Sequence, residues 1–266
     1  MTQIKAMEKT GSDAYMPDHR IETELSPRWV RVKLGQETIA DSKHVLLLRE
    51  TGHLPVYYFP QGDVRMDLLE PTEHKTHCPY KGDASYWTVR TDSRVVENAV
   101  WGYLDPLLKR ADIKGYVAFY WHKMDAWFEE EEEIFVHPRD PYKRIDTLSS
   151  SRHVRVVLGG ETVADSRRPY LLFETGLPTR YYLPQEDVRM DLLEPTDSRS
   201  RCPYKGMARY WTANIGDNVY QDIVWSYPDP IPECPKIKGL LCFFNEKVDA
   251  IYVDGELMPV PQTPWS

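Results

Sequence analysis

Short runs in which apolar and polar residues alternate, broken by Gly, Pro and Asp, fill this chain, and no stretch keeps a 3.6-residue apolar period over three turns. That pattern predicts β-strands. Val30-Arg31-Val32-Lys33-Leu34 alternates apolar and basic residues, Gly35-Gln36 supplies a tight turn, and Thr38-Ile39-Ala40 returns. At the matching place later in the chain the turn is Gly159-Gly160, a strong hairpin signal. Further strands are expected at 45–49, 56–59, 64–69, 85–90, 95–103, 115–120 and 125–128, each with a partner 124 residues later. About eight short strands per copy suit a barrel or a pair of packed sheets.

The partners exist because residues 28–141 are written a second time at 152–265. Asp67 recurs as Asp191, the ten-residue string Asp63-Val64-Arg65-Met66-Asp67-Leu68-Leu69-Glu70-Pro71-Thr72 recurs from Asp187, and Cys78-Pro79-Tyr80-Lys81-Gly82 recurs from Cys202. The period far exceeds that of solenoid and propeller units, so these are two complete domains, able to pack as an intramolecular pseudo-dimer. Residues 1–27 read as an N-terminal arm, 28–141 as the first domain, 142–151 as a linker that ends a Pro- and Ser-rich join begun at His137, and 152–266 as the second domain. A net charge of −8 without a Lys/Arg cluster argues against a nucleic-acid partner. The start lacks a signal-peptide apolar stretch and no 18 apolar residues run together, so no membrane partner is expected and the chain reads as soluble and cytoplasmic. Of the four cysteines only Cys78 and Cys202 correspond, which reads as reduced thiols rather than a disulfide framework. The five glutamates at 129–133 read as a solvated edge that discourages strand pairing.

Candidate chemistry starts at 64–69, where a strand would put Val64, Met66 and Leu68 on the core face and Arg65 and Asp67 together on the other. A helical turn after Pro60 would instead bring Asp67 and Glu70 onto one face. The pair recurs as Arg189 and Asp191, either as a structural ion pair or as a guanidinium held by a carboxylate to receive an anion. Thr76 to Gly82 reads as a rigid loop presenting Lys81 as a fixed cation, with Lys205 in the second copy; Cys78 and Cys202 are candidate nucleophiles, although a Cys next to Pro is more often a small buried hydrophobe. His77 is not a base common to both copies, because its counterpart is Arg201, and without a Cys-x-x-Cys neither zinc nor another metal or cofactor is expected.

Aromatic pairs recur as well: Tyr57-Tyr58 as Tyr181-Tyr182, Tyr86-Trp87 as Tyr210-Trp211, and Trp101 and Tyr103 as Trp225 and Tyr227. Core is the default for most of them; neighbours on a strand face opposite ways, so the two members of each pair are expected on opposite faces, with Trp101 and Tyr103 extending an apolar wall from Ala99. Such a wall with Glu50, Arg65, Asp67, Lys81 and a tyrosine from each pair would form a small-molecule pocket, repeated with Glu174, Tyr181, Arg189, Asp191, Lys205 and Tyr210. His53, His74, His77 and His122 become Leu177, Ser198, Arg201 and Glu246, so any histidine chemistry belongs to the first copy, and the two pockets are free to differ in ligand.

Gly-x-Glu-Thr-x-Ala-Asp-Ser, the Tyr-Tyr-x-Pro-x-x-Asp-Val-Arg-Met-Asp-Leu-Leu-Glu-Pro-Thr string and Cys-Pro-Tyr-Lys-Gly, followed by Tyr-Trp, Trp-x-Tyr and Asp-Pro, resemble the domain-of-unknown-function family 427 over nearly all of 28–265. The resemblance implies a small, complex β domain of the β-tent kind, here without the zinc knuckle of its better-known members. It also carries a nucleotidyltransferase-like label, though the Gly-Ser and Asp-x-Asp needed to hold two magnesium ions are absent. Three functions are expected in order: binding of a small polar or anionic metabolite in each domain, with or without catalysis; nucleotidyl transfer; and a non-catalytic interaction or structural role.

Overall fold

In the computed structural model, which describes residues 19–266, both copies are all-β. The first comprises β1 (Ile21–Leu25), β2 (Val30–Leu34), β3 (Glu37–Ser42), β4 (Leu46–Glu50), β5 (Val56–Pro60), β6 (Leu69–Cys78), β7 (Gly82–Arg90), β8 (Val95–Gly102), β9 (Tyr116–Phe119), β10 (Ala126–Glu129) and β11 (Glu132–Ile134). The second comprises β12 (Ile145–Ser149), β13 (Val154–Leu158), β14 (Glu161–Ser166), β15 (Tyr170–Glu174), β16 (Arg180–Leu183), β17 (Leu193–Cys202), β18 (Gly206–Ile215), β19 (Asn218–Ser226), β20 (Leu241–Phe243), β21 (Ala250–Val253) and β22 (Glu256–Leu257). Each domain has a seven-stranded sheet, in the order β1-β4-β5-β9-β8-β7-β6 or β12-β15-β16-β20-β19-β18-β17. Each also has a four-stranded sheet, β11-β10-β2-β3 or β14-β13-β21-β22. The boundary between the two units falls at Asp140 and Pro141. Among the described residues no helix is long and apolar enough to cross a membrane, and all four cysteines are free.

Alternation decides the inner strands. Val30, Val32 and Leu34 are fully buried and meet Tyr57, Phe59, Trp87, Val89 and Val100 from the large sheet in one core. The opposite face of the large sheet builds a second core from Leu46, Leu48, Tyr58, Tyr86, Tyr103, Ile113 and Ala118. Tyr57 and Tyr58 therefore go to different cores, as do Tyr86 and Trp87, each doing what adjacent strand positions must. The second domain repeats both cores, dividing Tyr181 from Tyr182 in the same way.

Several expectations are corrected. Residues 64–69 are not a strand: Val64 makes an isolated bridge to Ala40, and Met66–Leu68 form a 3-10 turn, although Met66 and Leu68 still pack on the core. Thr76, His77 and Cys78 end β6 instead of standing in a loop. The segments read as arm and linker contain β1 and β12, which pair with β4 and β15. They escape a search for alternation because both lie at the edge of the large sheet with charged or hydroxyl side chains in most positions. β6 escapes for the same reason, being the other edge and carrying Pro71, which central strands do not tolerate. Ala99 does not share a face with Trp101 and Tyr103, because a bulge at Asn98, with φ of +48°, shifts the register and turns Ala99 into the first core. The glutamate run is only partly a solvated edge. Glu131 is exposed in the turn between β10 and β11, and Glu132 and Glu133 stand on edge strand β11 paired with β10, but Glu129 is largely buried against Tyr57 and Arg28.

Candidate functional site

The repeated Cys-Pro-Tyr-Lys-Gly string is a turn that places one lysine. Gly82 and Gly206 have φ of +101° and +109°, and a Cβ on Gly206 would lie 3.3 Å from the Asp229 carbonyl oxygen. Lys81 accepts a backbone hydrogen bond from Leu107 N at 3.0 Å, and Lys205 one from Ile231 N at 3.1 Å, so the loop after β8 or β19 clamps each turn. With the backbone held, the lysine Nζ donates to Glu50 Oε2 at the end of β4, or to Glu174 Oε2 at the end of β15. All four side chains are less than one-tenth exposed.

A third group completes each pair. His19 Nε2–H donates to Glu50 Oε1 at 2.9 Å while its ring stacks on Tyr80 at 3.9 Å. In the second domain Lys143 takes that place, 3.2 Å from Glu174 Oε1 and 5.4 Å over the Tyr204 ring. Burial alone would push the Glu50 carboxyl up; the Lys81 ammonium and the His19 hydrogen bond outweigh it and hold the group below the ordinary carboxylate value. Around the pair stand Tyr58, Tyr86, Trp101 and Tyr103, with Cys78 at the rim; Trp101 Nε1 donates to the Tyr58 hydroxyl at 3.3 Å. Burial raises the Tyr58 and Tyr103 phenols, and the neighbouring Glu50 adds to the effect on both. The second domain gathers Tyr182, Tyr210, Trp225, Tyr227 and Cys202 around Glu174 and Lys205. There Trp225 Nε1 lies 3.1 Å from the Tyr182 hydroxyl and Lys205 Nζ lies 3.8 Å from Cys202 Sγ.

Of the sequence candidates, Glu50, Cys78, Lys81, Tyr86, Trp101 and Tyr103 thus converge, and so do Glu174, Cys202, Lys205, Tyr210, Trp225 and Tyr227. Three per domain do not. Tyr57 and Tyr181 face the other core; Tyr57 OH donates to Glu129 Oε1 at 2.8 Å. Arg65 and Asp67 form an exposed bidentate pair, 2.8 and 2.7 Å, as do Arg189 and Asp191 at 2.8 and 2.6 Å. Each guanidinium fork is filled by its own neighbour two residues on, so the pair closes a surface turn and offers no anion seat. The aromatic wall is likewise packed core.

The opening lies beside the pair. A depression of about 270 Å³ in the first domain is bordered by Arg20, Glu22, Arg49, Glu50, Thr51, His53, Pro55 and Asp140, so that the buried carboxylate has one side on a polar hollow. Arg49 is held by Glu22 at 2.9 Å, whereas the Arg20 guanidinium makes no ion pair among the described residues. In the second domain the corresponding positions are Arg144, tied to Asp146 at 2.9 Å, together with Phe173 and Leu177 in place of Arg49 and His53. The two surfaces differ in charge while the Glu–Lys pair beneath is the same.

Sequence reasoning missed two positions. His19 and Lys143 lie outside the span recognised as repeated, yet Arg20-Ile21 and Arg144-Ile145, then Thr23 and Thr147, keep the same offset and extend it. Asn98 and Asp222, both at left-handed φ, accept hydrogen bonds of 2.7 Å from Thr72 and Thr196, which accounts for the threonine that ends the long repeated string. Among the described residues no three His, Cys, Asp or Glu side chains gather as metal ligands.

Among curated proteins nothing matches the chain. A family model described as a domain of unknown function, DUF427, matches residues 22–130 and again 146–254, taking in β1 and β12 together with both Glu–Lys pairs. With more than half its length covered by two consecutive matches, the chain belongs to the DUF427 family as a tandem duplicate.

Proposed function

We propose that the DUF427 domains of this chain are small-molecule binding modules built on the buried Glu–Lys pair, and that the first domain takes a small polar metabolite bearing a carboxylate or phosphate. The observation that carries this reading is the polar hollow beside Glu50, in which the Arg20 guanidinium, next to the Arg49 and His53 rim, makes no ion pair among the described residues. A planar fork with its donors unspent is a natural seat for an oxyanion. The pair itself adds support: two charges removed from water are seldom cheaper than two apolar groups, and here the arrangement is present in both domains. Glu50, its two oxygens already anchored by Lys81 and His19, is a rigid acceptor for a ligand hydroxyl or ammonium.

The test is calorimetric titration of the full chain with a panel of dicarboxylates, amino acids and sugar phosphates, repeated on Arg20→Ala and on Arg65→Ala. A ligand is expected whose affinity falls about 10- to 100-fold on loss of Arg20, the worth of one charge-assisted contact, and is unchanged on loss of Arg65. Should no compound bind, or should every hit bind Arg20→Ala as well as the parent, the reading fails and a packing or interaction role for the repeated strings takes its place.

A further inference from the structure

The outer end of the β17–β18 hairpin differs in charge from its first-domain counterpart. There each cation meets an acceptor across the ladder. Lys75 lies opposite Ser85 and donates to its hydroxyl at 2.8 Å, and His77 lies opposite Asp83, with Nδ1 2.6 Å from the carboxylate. In the second domain the cations are kept and the acceptors are gone: Lys75 becomes Arg199, His77 becomes Arg201, Ser85 becomes Arg209 and Asp83 becomes Met207.

Arg199 and Arg209 are partners in register, so their side chains leave the sheet from directly opposed positions on one face. The other face is internal: the Ser200 and Tyr210 hydroxyls meet at 2.6 Å, and Ala208 and Tyr210 pack in the core around Tyr182. Both arginines are exposed. Like charges set directly opposite each other destabilise a strand pair. Among the described residues no carboxylate pairs with either guanidinium, Asp197 in the adjoining bulge included, and Arg209 makes no side-chain hydrogen bond at all. Arg199 is also held ready. Its Nη1 donates to the Thr196 carbonyl at 2.8 Å and the Ser198 carbonyl at 2.6 Å, while Nε and Nη2 have no partner among the described residues. Asp222 pins the bulge that supplies those carbonyls, its two oxygens accepting from the Thr196 and Ser198 hydroxyls at 2.7 Å each.

We infer that this face of the second domain is a binding seat for a phosphate dianion, gripped between the guanidiniums of Arg199 and Arg209. The phosphate brings the acceptors that Ser85 and Asp83 provide in the first domain, and guanidinium forks match its oxygens. Arg201, exposed two positions along β17, adds positive potential on the same face. The net charge of −8 acts weakly here, because salt screens exposed charges beyond about 8 Å at physiological ionic strength. This seat lies in the other domain from the Arg20 hollow and does not depend on it.

The test uses the full chain carrying Arg20→Ala, which removes the first-domain guanidinium from competition. Titration with inorganic phosphate, followed by phosphorus NMR at low ionic strength, should saturate with a dissociation constant of about 1–10 mM, the worth of one or two charge-assisted contacts. Arg209→Ser, which restores the first-domain residue, should weaken binding at least about tenfold. A parallel arm with phosphoserine tells the source: the tighter of the two ligands identifies free phosphate or a phosphorylated group as the occupant, and either result supports the seat. Without phosphate, Arg209→Ser should also raise the second-domain thermal midpoint by about 1–4 °C by relieving the like-charge pair, a gain that disappears in saturating phosphate. Absence of saturation tenfold above that concentration range, equal binding by the Arg209→Ser chain, or a midpoint difference indifferent to phosphate would each overturn the proposal. None of these outcomes bears on Arg20, whose role is read from the parent against Arg20→Ala.

Discussion

Lys81→Met keeps the side-chain stem and removes only its charge, which isolates the electrostatic part of the Glu50–Lys81 pair. Both side chains are about nine-tenths buried, so the change leaves a carboxylate out of water with His19 as its remaining partner. Stranding one member of a buried pair costs about 3–5 kcal/mol. For a domain of this size that is a fall in midpoint of roughly 10–20 °C. Replacing both members, Glu50→Leu with Lys81→Met, puts apolar groups among Tyr58, Tyr86 and Tyr103 and should come within about 1–2 kcal/mol of the parent, so the coupling energy is large. The pH dependence has a definite sign. Glu50 is held below its ordinary value of 4.5, so the pair's contribution is fully present above that value in the folded chain and is lost as the pH falls through the depressed folded value. The penalty of Lys81→Met should therefore shrink in acid, where the stranded carboxyl becomes neutral. Urea unfolding of the full chain, with hydrogen exchange in peptides covering β4 and β7, assigns the loss to the first domain. The same change in the second domain, Lys205→Met, should cost less, because Lys143 remains 3.2 Å from Glu174. A penalty under about 1 kcal/mol for Lys81→Met, or a double variant as costly as the sum of the single ones, would refute the reasoning.

Thiol reagents at neutral pH should modify Cys78 and Cys202, which are half-buried, well before Cys242, whose thiol burial pushes up to about 12, and Cys234, also raised by burial; peptide mass spectrometry gives the order. Deleting residues 263–266 removes the Thr263 hydroxyl that donates to Glu246 Oε1 at 2.6 Å and the Trp265 ring 5.5 Å from the Arg180 guanidinium. Second-domain stability should fall by about 1–2 kcal/mol in urea unfolding, with the first-domain transition unmoved. Gly82→Ala and Gly206→Ala force a side chain into left-handed backbone at the clamped turn and should each destabilise their own domain by about 1–3 kcal/mol, measured calorimetrically; unchanged midpoints would show that the turn is not clamped.

The small-sheet strand Val30 to Leu34 could be read from the chain because it has one face on a core and its alternation is the burial pattern itself, and the central strands of the large sheet could be read as apolar runs because both their faces meet cores. The edge strands β1, β6, β12 and β17 could not, since edge positions select charge and proline to resist further pairing, and that choice erases the alternation. At the site, Lys81 and Glu50 were legible as candidates but not as partners. Nothing along the chain marks two residues 31 positions apart as neighbours, whereas Arg65 and Asp67, two positions apart and more conspicuous, pair with each other at the surface, with Glu37 3.7 Å from the same guanidinium.

The sequence by itself determined the duplication, the all-β character of each copy, and which residues could carry charge or nucleophilic chemistry, because offset, alternation and residue type are properties of the chain. Only the tertiary structure decided which of those residues meet. Strand order in the large sheet and the clamp on the Pro-Tyr-Lys-Gly turn together bring Glu50, Lys81 and His19 into one buried group, while Arg65 and Asp67 stay on the surface. Burial and pairing are relations between strands distant in sequence, set by which side chains the two cores exclude from water.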